Sequence, residues 1–461
     1  MDRNGAAWPV LFESWGSGQN VLYAYLSLPF LALFGLTPAA LRLTAGVWGS
    51  LSLLVFWRLA RRGRGPVFGL WALAALALNP WHLLLSRWAL ESNLLPALLL
   101  CGVWLLAEAD RRPWLLLPAA AALALSLYAY GTAFLFLPVF LTGASLLLWR
   151  RRTVPLGVYL AALAVFILLA FPISLCNLRN ALGLPEAKLF WMTLPRLTET
   201  RQSATVAFSL HNWGTLLRLL WTQSDGLVWN SAGPFGLMYG VPGLALYALG
   251  LGRAVRRLCR RRAGAAEAYL LLWLLSSLLS ALFIDGNVNR LNMLFLPLVW
   301  YQAAGLMLLA RGLGLLARGH GRVRPVLSAL PALALALAAA LMLRYYVGPC
   351  RDRLAPAFFD GLTEALACAA AEPSPVWVAE GVNMPYIFAL FATKTPPSDF
   401  LAAVDYVDPS AAFRKVRSFG RFHFGEEPPM DAVRVYPSGQ AEGGEILGVF
   451  GGYTVVKPGY T

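Results

Sequence analysis

Long apolar runs alternate with short polar junctions over residues 41–343. A helix needs about 20 apolar residues to cross the roughly 30 Å hydrocarbon layer of a bilayer, and most of the runs reach or approach that length. The pattern therefore predicts ten transmembrane helices, over residues 41–56, 67–85, 94–107, 114–130, 134–149, 155–176, 235–252, 268–284, 291–310 and 326–343.

Arginine is concentrated in nearly every second junction, and these junctions hold half of the 38 basic residues. Positive loops of membrane proteins stay in the cytoplasm. We therefore expect a multi-pass protein of the cell membrane whose N-terminus, loop 177–234 and C-terminal residues 344–461 lie outside the cytoplasm. An even number of crossings agrees, because it returns the chain to the side on which it started.

Composition supports a membrane protein, since 58% of the residues are hydrophobic and only 13% are charged. We assign the net charge of +15 to topology and to anionic lipid headgroups rather than to nucleic acid. The five cysteines lack the spacing of a metal site, although Cys350 and Cys368 share one segment and could pair. The four histidines are scattered, which argues against a histidine metal site.

Two segments outside the ten runs carry aromatic and apolar residues. Residues 1–40 are predicted to form an outer loop whose helix, over 21–34, lies in the membrane interface; an eleventh, tilted crossing is the alternative. Residues 177–234 are predicted to form a second outer loop, with a surface helix near 212–220. Loops of such length usually serve a function, so this loop is a candidate cover for a site.

The composition changes after residue 344, where short helical and extended patterns alternate. This alternation predicts a small extracytoplasmic α/β domain over 344–461. The predicted helices are 356–371 and 385–391, and the predicted strands are 376–379, 413–424, 432–436 and 446–456. No glycine fingerprint follows the first strand, so no nucleotide cofactor is predicted.

Carboxylates on the predicted outer side of the membrane region are few: Asp2, Glu13, Glu91, Glu186, Glu199, Asp225 and Asp285. Two short outer junctions concentrate polar groups. The first polar turn, residues 86–93, contains Arg87 and Glu91, which would be neighbours if the turn were helical. The second polar turn, residues 285–290, contains Asp285, Asn287, Asn289 and Arg290. The structural alternative for both turns is helix capping together with an ion pair. The third short outer junction, residues 130–133, has no charge at all, and this contrast favours a functional role for the two polar turns.

The order of several short motifs resembles that of the C-type glycosyltransferases. Within that superfamily, the chain is most similar to the branch of protein O-mannosyltransferases and the lipid A aminoarabinose transferase, the membrane glycosyltransferase family 39. The resemblance covers about residues 5–310 and rests on LYAYL at 22–26, FGLTPAALRL at 34–43, SRWALE at 86–91, YAYGT at 128–132, NR at 289–290, and Pro80, Pro138 and Pro297.

The resemblance implies an inverting transfer of a sugar from a polyprenyl-phosphate donor to a lipid, glycan or protein acceptor outside the cytoplasm. A carboxylate would take the proton of the acceptor hydroxyl, and arginines would stabilise the departing lipid phosphate. Arg290 and then Arg87 are the candidates for the phosphate. Glu91 would orient sugar or acceptor, or pair with Arg87. Tyr128, Tyr130, Asp285, Asn287 and Asn289 are candidates for lining the donor or acceptor site. No organic cofactor is implied, and the sequence leaves open whether a divalent cation assists.

The chain departs from the family at its start, because the first span and the acidic pair that follows it have no counterpart before Met1. Three explanations stay open: the sequence lacks its true start, the chain is an inactive relative, or Glu91 or Asp2 has taken the role of the base. We favour the first.

Two other functions remain open at the level of the sequence. A transporter or flippase of lipid-linked sugars would require a polar path through the spans, for which the candidates are Arg42, Ser126, Ser276, Ser277, Ser280, Asn292 and Gln302. A non-catalytic scaffold that presents the C-terminal domain is the third reading.

Overall fold

A computed structural model describes residues 6–14, 17–197, 207–411, 414–425 and 427–459. The chain divides into two compact units. The membrane unit comprises Asn20–Leu182 and Arg201–Gly348, and the sheet unit comprises Met1–Gln19, Gly183–Thr200 and Pro349–Thr461.

In the membrane unit the described residues form helices joined by loops, and each of the ten predicted runs contains a helix. Its helices are α1 (Leu22–Phe34), α2 (Pro38–Arg64), α3 (Pro66–Ala77), α4 (Pro80–Leu85), α5 (Leu95–Ala109), α6 (Leu116–Ala129), α7 (Ala133–Arg151), α8 (Leu156–Ala181), α9 (Leu210–Thr222), α10 (Gly240–Cys259), α11 (Ala265–Ser280), α12 (Phe295–Leu316) and α13 (Val323–Val347).

Seven helical segments of the described residues are long and apolar enough to cross a membrane: Pro38–Arg64, Glu91–Ala109, Ala133–Arg151, Leu156–Ala181, Gly233–Cys259, Asn292–Leu316 and Val323–Val347. The other three predicted runs contain the shorter apolar helices Pro66–Ala77, Pro113–Ala129 and Ala265–Ser280. The chain is therefore a polytopic helical membrane protein, while the number of ten crossings stays a prediction. Helices α5 and α12 are the most deeply buried of the seven.

The predicted run 67–85 is not one continuous helix, because it breaks at Asn79 and Pro80. Proline lacks an N–H and disfavours the helical conformation in the residue before it, and Asn79 is extended, with φ −76° and ψ 129°. The groups freed by the break find partners in a neighbouring segment: Tyr239 donates to the Leu78 carbonyl, and the Trp81 N–H donates to the Leu237 carbonyl over 3.1 Å. Broken helices inside membranes are tolerated where such partners exist.

Helices α10 and α12 approach each other through glycines. A Cβ atom on Gly250 would lie 1.9 Å from the carbonyl oxygen of Tyr301, and one on Gly305 would lie 2.0 Å from that of Leu246. Small residues allow this backbone contact between membrane helices, where the hydrophobic effect provides little driving force.

Replacing Gly250 or Gly305 by alanine should destabilise the protein, since the new methyl group would overlap a carbonyl of the facing helix. We expect a loss of about 1–3 kcal/mol, typical of overpacking, measured as a lower melting temperature of the protein in nanodiscs. Gly252 and Gly312 lie on the same helices with nothing within 4 Å of an added Cβ. Their alanine variants should leave stability unchanged or raise it, and equal losses at all four positions would contradict the close contact.

Carboxylates at the arginine-rich end of the membrane unit are all paired. Glu108 lies 3.0 Å from Arg62, and Asp110 lies 3.0 Å from Arg151. Glu267 pairs with Arg64 and with Arg257. These ion pairs connect neighbouring helix ends.

The described residues of the sheet unit form four α-helices and eleven strands. The helices are α14 (Pro349–Leu354), α15 (Leu362–Ala371), α16 (Pro385–Thr393) and α17 (Pro397–Ala403). The strands are β1 (Leu11–Ser14), β2 (Ser17–Asn20), β3 (Ala187–Leu189), β4 (Met192–Leu194), β5 (Val376–Val378), β6 (Val404–Tyr406), β7 (Val416–Phe419), β8 (Phe422–Phe424), β9 (Val433–Pro437), β10 (Glu445–Phe450) and β11 (Tyr453–Lys457).

Seven strands form one mixed sheet in the order β10-β11-β9-β5-β8-β7-β6. The central strand β5 pairs in parallel with β8 and β9, and the remaining pairs are antiparallel. Helix α15 packs against β9, β10 and β11, and its buried Leu362 and Leu366 share one apolar core with Tyr386, Phe400 and Phe419. The predicted C-terminal α/β domain is confirmed.

Two predicted strands of the domain are hairpins instead. The run 413–424 turns between β7 and β8 at Gly420, and the run 446–456 turns between β10 and β11 at Gly451. Both glycines have φ of +52°, which glycine adopts without a steric cost. The apolar pattern continues through each turn, which is why one strand was predicted. Helix α17 and strand β6 were not predicted.

Short strands also occur in the N-terminal segment, where none was predicted. The Val10 N–H donates to the Thr193 carbonyl over 3.0 Å, so this segment lies against the hairpin β3–β4. Cys350 and Cys368 are free thiols rather than a disulfide, and burial raises the pKa of Cys350.

Candidate active site

The two polar turns lead into the two most buried helices by the same local construction. A 3-10 turn, Glu91–Leu94, precedes α5, and another, Asn292–Leu294, precedes α12. Proline follows within the first turn of each helix, at Pro96 and Pro297. Proline is tolerated there because the first N–H groups of a helix have no intrahelical acceptor.

Asn292 joins the two turns through a buried set of hydrogen bonds. Its Nδ2 donates to Asn93 Oδ1 over 3.1 Å, and lies 3.3 Å from Ser92 Oγ and 3.4 Å from the Ser92 carbonyl. Its Oδ1 accepts from Trp81 Nε1 over 3.0 Å. Asn93 in turn donates to the carbonyls of Leu85 and Trp88, over 3.2 and 3.0 Å. The segments that carry Glu91 and Arg290 are therefore held together, although they are about 200 residues apart in the sequence.

The third short junction, residues 130–133, contacts the 3-10 turn that follows the second polar turn. Thr132 Oγ1 lies 3.8 Å from the sulfur of Met293, in the 3-10 turn that follows the second polar turn. Tyr130 ends α6 in an extended conformation. Tyr128 lies two residues earlier, and its hydroxyl donates to the Leu169 carbonyl of α8 over 2.8 Å. That bond ties two helices together and uses the donor of the Tyr128 hydroxyl.

Part of the long loop is fixed to the second polar turn by Asp225. Its carboxylate accepts from Val288 N over 3.0 Å, from Asn230 Nδ2 over 2.7 Å and from Leu227 N over 3.1 Å. The buried Gln223 anchors the same segment, because its Oε1 accepts from the amides of Met238 and Gly240, over 2.8 and 2.9 Å. This part of the loop is therefore held against the second polar turn, and its role as a cover for a site stays a prediction.

The predicted phosphate ligands are open to a ligand. Arg87 is exposed, and its guanidinium lies 4.9 Å from the ring centre of Tyr346. Arg290 is half-buried; its Nη1 donates to the Asp285 carbonyl over 2.9 Å, and its amide donates to Asn287 Oδ1 over 2.9 Å. Among the described residues, neither arginine forms an ion pair with a carboxylate, unlike the paired arginines Arg62 and Arg151.

The suggested Arg87–Glu91 ion pair is not formed. Residues 87–90 are not helical, so the spacing of four does not place the two side chains on one helix face. Arg87 stacks on Tyr346 instead. Glu91 begins its 3-10 turn and is half-buried, with its Oε2 atom shielded from solvent.

The remaining candidates divide into three groups. Asp2 and Glu199 lie outside the described residues. Glu13 lies 3.5 Å from Arg414 within the sheet unit, and Glu186 is exposed. Asp285 is exposed and Asn289 half-buried, both in the second polar turn. No group of three or more His, Cys, Asp or Glu side chains that could hold a metal occurs among residues the structure describes.

Asn292 and Asp225 were not recognised as site residues from the sequence. Asn292 was counted among polar groups of a possible transport path, and Asp225 among acids of unknown role. The available signal for Asn292 was its position just before a buried helix with an early proline, which Asn93 shares.

Comparisons with known proteins establish the class of fold. No protein-family model matches the chain, and no curated protein matches it by sequence. Among solved structures, ArnT from Cupriavidus metallidurans bound to undecaprenyl phosphate is similar with a TM-score of 0.54 at 12% identity, over 96% of this chain and 90% of that one. The apo form of ArnT gives 0.54 at 14% identity, over 97% and 88%. The oligosaccharyltransferase AglB from Archaeoglobus fulgidus, in complex with an inhibitory peptide and a dolichol-phosphate, gives 0.48 at 13% identity, over 85% and 58%.

The chain therefore has the C-type glycosyltransferase fold. The similarity to ArnT, the lipid A aminoarabinose transferase, spans both units and confirms the resemblance predicted from the sequence at the level of the fold.

Releasing the loop from the second polar turn should loosen that turn. In Asp225→Ala the amide of Val288 loses its acceptor, so its hydrogen exchange should accelerate by about tenfold or more, consistent with a lost bond to a charged group. Asp225→Asn keeps one acceptor oxygen and should exchange at an intermediate rate. Unchanged protection of Val288 in the alanine variant would show that this carboxylate does not hold the loop.

Proposed function

We propose that the protein is an integral-membrane glycosyltransferase that moves a sugar from a polyprenyl-phosphate donor to a lipid, glycan or protein acceptor. The observation that carries the proposal is the junction made by Asn292, which holds a carboxylate segment and an arginine segment together on the fold of ArnT. The solved ArnT structure contains undecaprenyl phosphate, a ligand of the chemistry that two arginines without carboxylate partners would accept.

The reaction assigns a distinct task to each group. The acceptor oxygen attacks the anomeric carbon, the bond from that carbon to the phosphate oxygen breaks, and the configuration inverts. Polyprenyl phosphate leaves with the electron pair, and the hydroxyl proton passes to a carboxylate. Arg290 and Arg87 stabilise the charge that develops on the phosphate, since guanidinium donors match phosphate oxygens. We assign the proton, or the orientation of the acceptor, to Glu91, with Asp2 as the alternative base.

The distribution of arginine supports an orientation in which the polar turns face away from the cytoplasm. The arginine-rich junctions would lie in the cytoplasm of a cell with this protein in its cytoplasmic membrane. The polar turns and the C-terminal domain would then face outward, where lipid-linked sugars serve as donors without nucleotides.

Polar groups within the spans argue against the transport function. Ser126, Ser276 and Ser280 donate to carbonyls of their own helices. Asn292 and Gln302 are buried and bonded to other segments. Groups satisfied in this way do not offer a polar path to a sugar.

Liposomes containing the full chain and a labelled polyprenyl-phosphate sugar test the proposal. Sugar transferred to an added acceptor supports an enzyme. Movement of the intact donor between leaflets without transfer would instead support a flippase. Binding of undecaprenyl phosphate is measured in parallel, because binding requires the arginines but not the base. Absence of both binding and transfer in folded protein would overturn the assignment.

A further inference from the structure

The arginine-rich end of the membrane unit contains an unbalanced group of charges that sugar transfer does not use. We call Arg64, Arg253, Arg257 and Arg311 the arginine cluster; they belong to α2, α10 and α12. Glu267, at the start of α11, pairs with Arg64 and with Arg257. Arg253 lies within electrostatic range of the other three arginines and of Glu267.

Glu267 neutralises the buried part of the cluster. Its Oε1 accepts from Arg64, and its Oε2 lies 3.0 Å from Arg257 Nε. The side chains of Arg64 and Glu267 are only 7% and 2% exposed. The Arg64 guanidinium also lies 5.0 Å from the ring centre of Phe68 and 6.0 Å from that of Trp300. Arg64 is therefore fixed within the protein.

Among the described residues, no carboxylate pairs with Arg253 or Arg311, the outer part of the cluster. Arg253 and Arg311 are exposed, and Arg257 is 37% exposed. Elsewhere at this end, carboxylates pair one to one, as in Arg62–Glu108 and Arg151–Asp110. Four guanidinium groups around one carboxylate leave a net charge of +3. Like charges in one place repel each other unless an anion joins them.

The cluster adjoins a surface suited to acyl chains. Helices α10 and α12 touch through Gly250 and Gly305, which brings their arginines close together. Leu249, one turn before Arg253, is 47% exposed, and Leu309, two residues before Arg311, is 41% exposed. An exposed apolar surface beside basic side chains suits a lipid, because its acyl chains are apolar and its headgroup is anionic.

We propose that the arginine cluster binds the phosphate of an anionic lipid headgroup, with the lipid tails along α10 and α12. Arginine presents a planar fork that binds phosphate oxygens through two donors. Basic groups between membrane helices at the cytoplasmic side are suited to such headgroups. The site lies at the other end of the helices from the polar turns, so it is independent of the proposed sugar transfer.

The test compares lipids that stay with the full chain. The protein is placed in nanodiscs of phosphatidylcholine with one fifth phosphatidylglycerol, and retained lipids are measured by native mass spectrometry after release. The wild-type chain should retain phosphatidylglycerol preferentially. Arg253→Gln with Arg311→Gln should lower that preference roughly 10- to 30-fold, the effect expected for two arginines near an anionic lipid.

Matched controls separate a site from general charge. Arg318→Gln with Arg322→Gln removes the same charge from the same end of the helices and should leave the preference unchanged. An equal loss in both double variants, or no preference in the wild-type chain, would overturn the site. Inorganic phosphate forms a second arm: phosphate binding without lipid retention would reassign the cluster to a soluble anion. Melting curves in phosphatidylcholine alone establish that both double variants are folded, as expected because the Glu267 pairs are kept.

Discussion

Replacing Arg290 by alanine should abolish sugar transfer without unfolding the protein. Arg290 is half-buried and has no carboxylate partner among the described residues, so its charge is available to the departing phosphate. Loss of a preorganised donor to the charge of a transition state typically costs about 10²–10³ in kcat. The side chain makes one described hydrogen bond, to the Asp285 carbonyl, and its removal should affect stability little. Initial rates of transfer in liposomes give the measurement.

Two further variants serve as controls for Arg290→Ala. Arg290→Lys keeps the charge but loses the planar fork, and we expect an intermediate loss of about tenfold. Arg218→Ala removes an exposed arginine of α9 and should transfer sugar at the normal rate. Wild-type turnover in Arg290→Ala would refute the phosphate assignment, and the task would then fall to Arg87.

Replacing Asn292 by leucine should cause the largest loss of stability. The change leaves Trp81 Nε1 without its acceptor and Asn93 Oδ1 without its donor, both in a buried place. Each buried polar group without a partner costs about 1–3 kcal/mol, so for the two groups we expect a total of about 2–6 kcal/mol. The protein should melt at a lower temperature, and transfer should fall even where it stays folded, because the two polar turns separate.

Gln302→Leu is the matched control for this variant. Gln302 is another buried amide and lies in α12, the helix that follows Asn292, but its described bond goes to the Met238 carbonyl, away from the first polar turn. It should lower stability less and keep a higher transfer rate at temperatures where both variants are folded. Equal activity losses in the two variants would mean that Asn292 acts only through general stability.

The sequence predicted the membrane helices well because their signal is physical and local. Apolar length and arginine alternation follow from the thickness and the charge of the bilayer. Breaks within an apolar run are harder to predict from the sequence. The break at Asn79 is stabilised by hydrogen bonds with Tyr239 and with the Leu237 carbonyl, which are far away in the chain. The turns at Gly420 and Gly451 are hard to see in the sequence because large aromatic residues typical of strands lie within two residues on both sides of each glycine.

In the candidate site, too, the sequence indicates the charged residues but not the contacts between distant segments. Arg87, Glu91 and Arg290 are candidates because charge is rare in the predicted outer junctions, and their roles stay predictions. The approach of the two polar turns depends on Asn292, and a single asparagine in an apolar run does not indicate which segment it will bind. The role of Asp225 likewise depends on the position of Val288, which only the folded chain defines.

The glycine contact between α10 and α12 also constrains how the protein can move. Two backbones that touch at Gly250 and Gly305 cannot slide past each other without steric overlap, so the pair should behave as one rigid strut. Any larger motion of the membrane unit should then occur in elements around this helix pair. A rocking mechanism that separates the two helices would break the contact at every cycle.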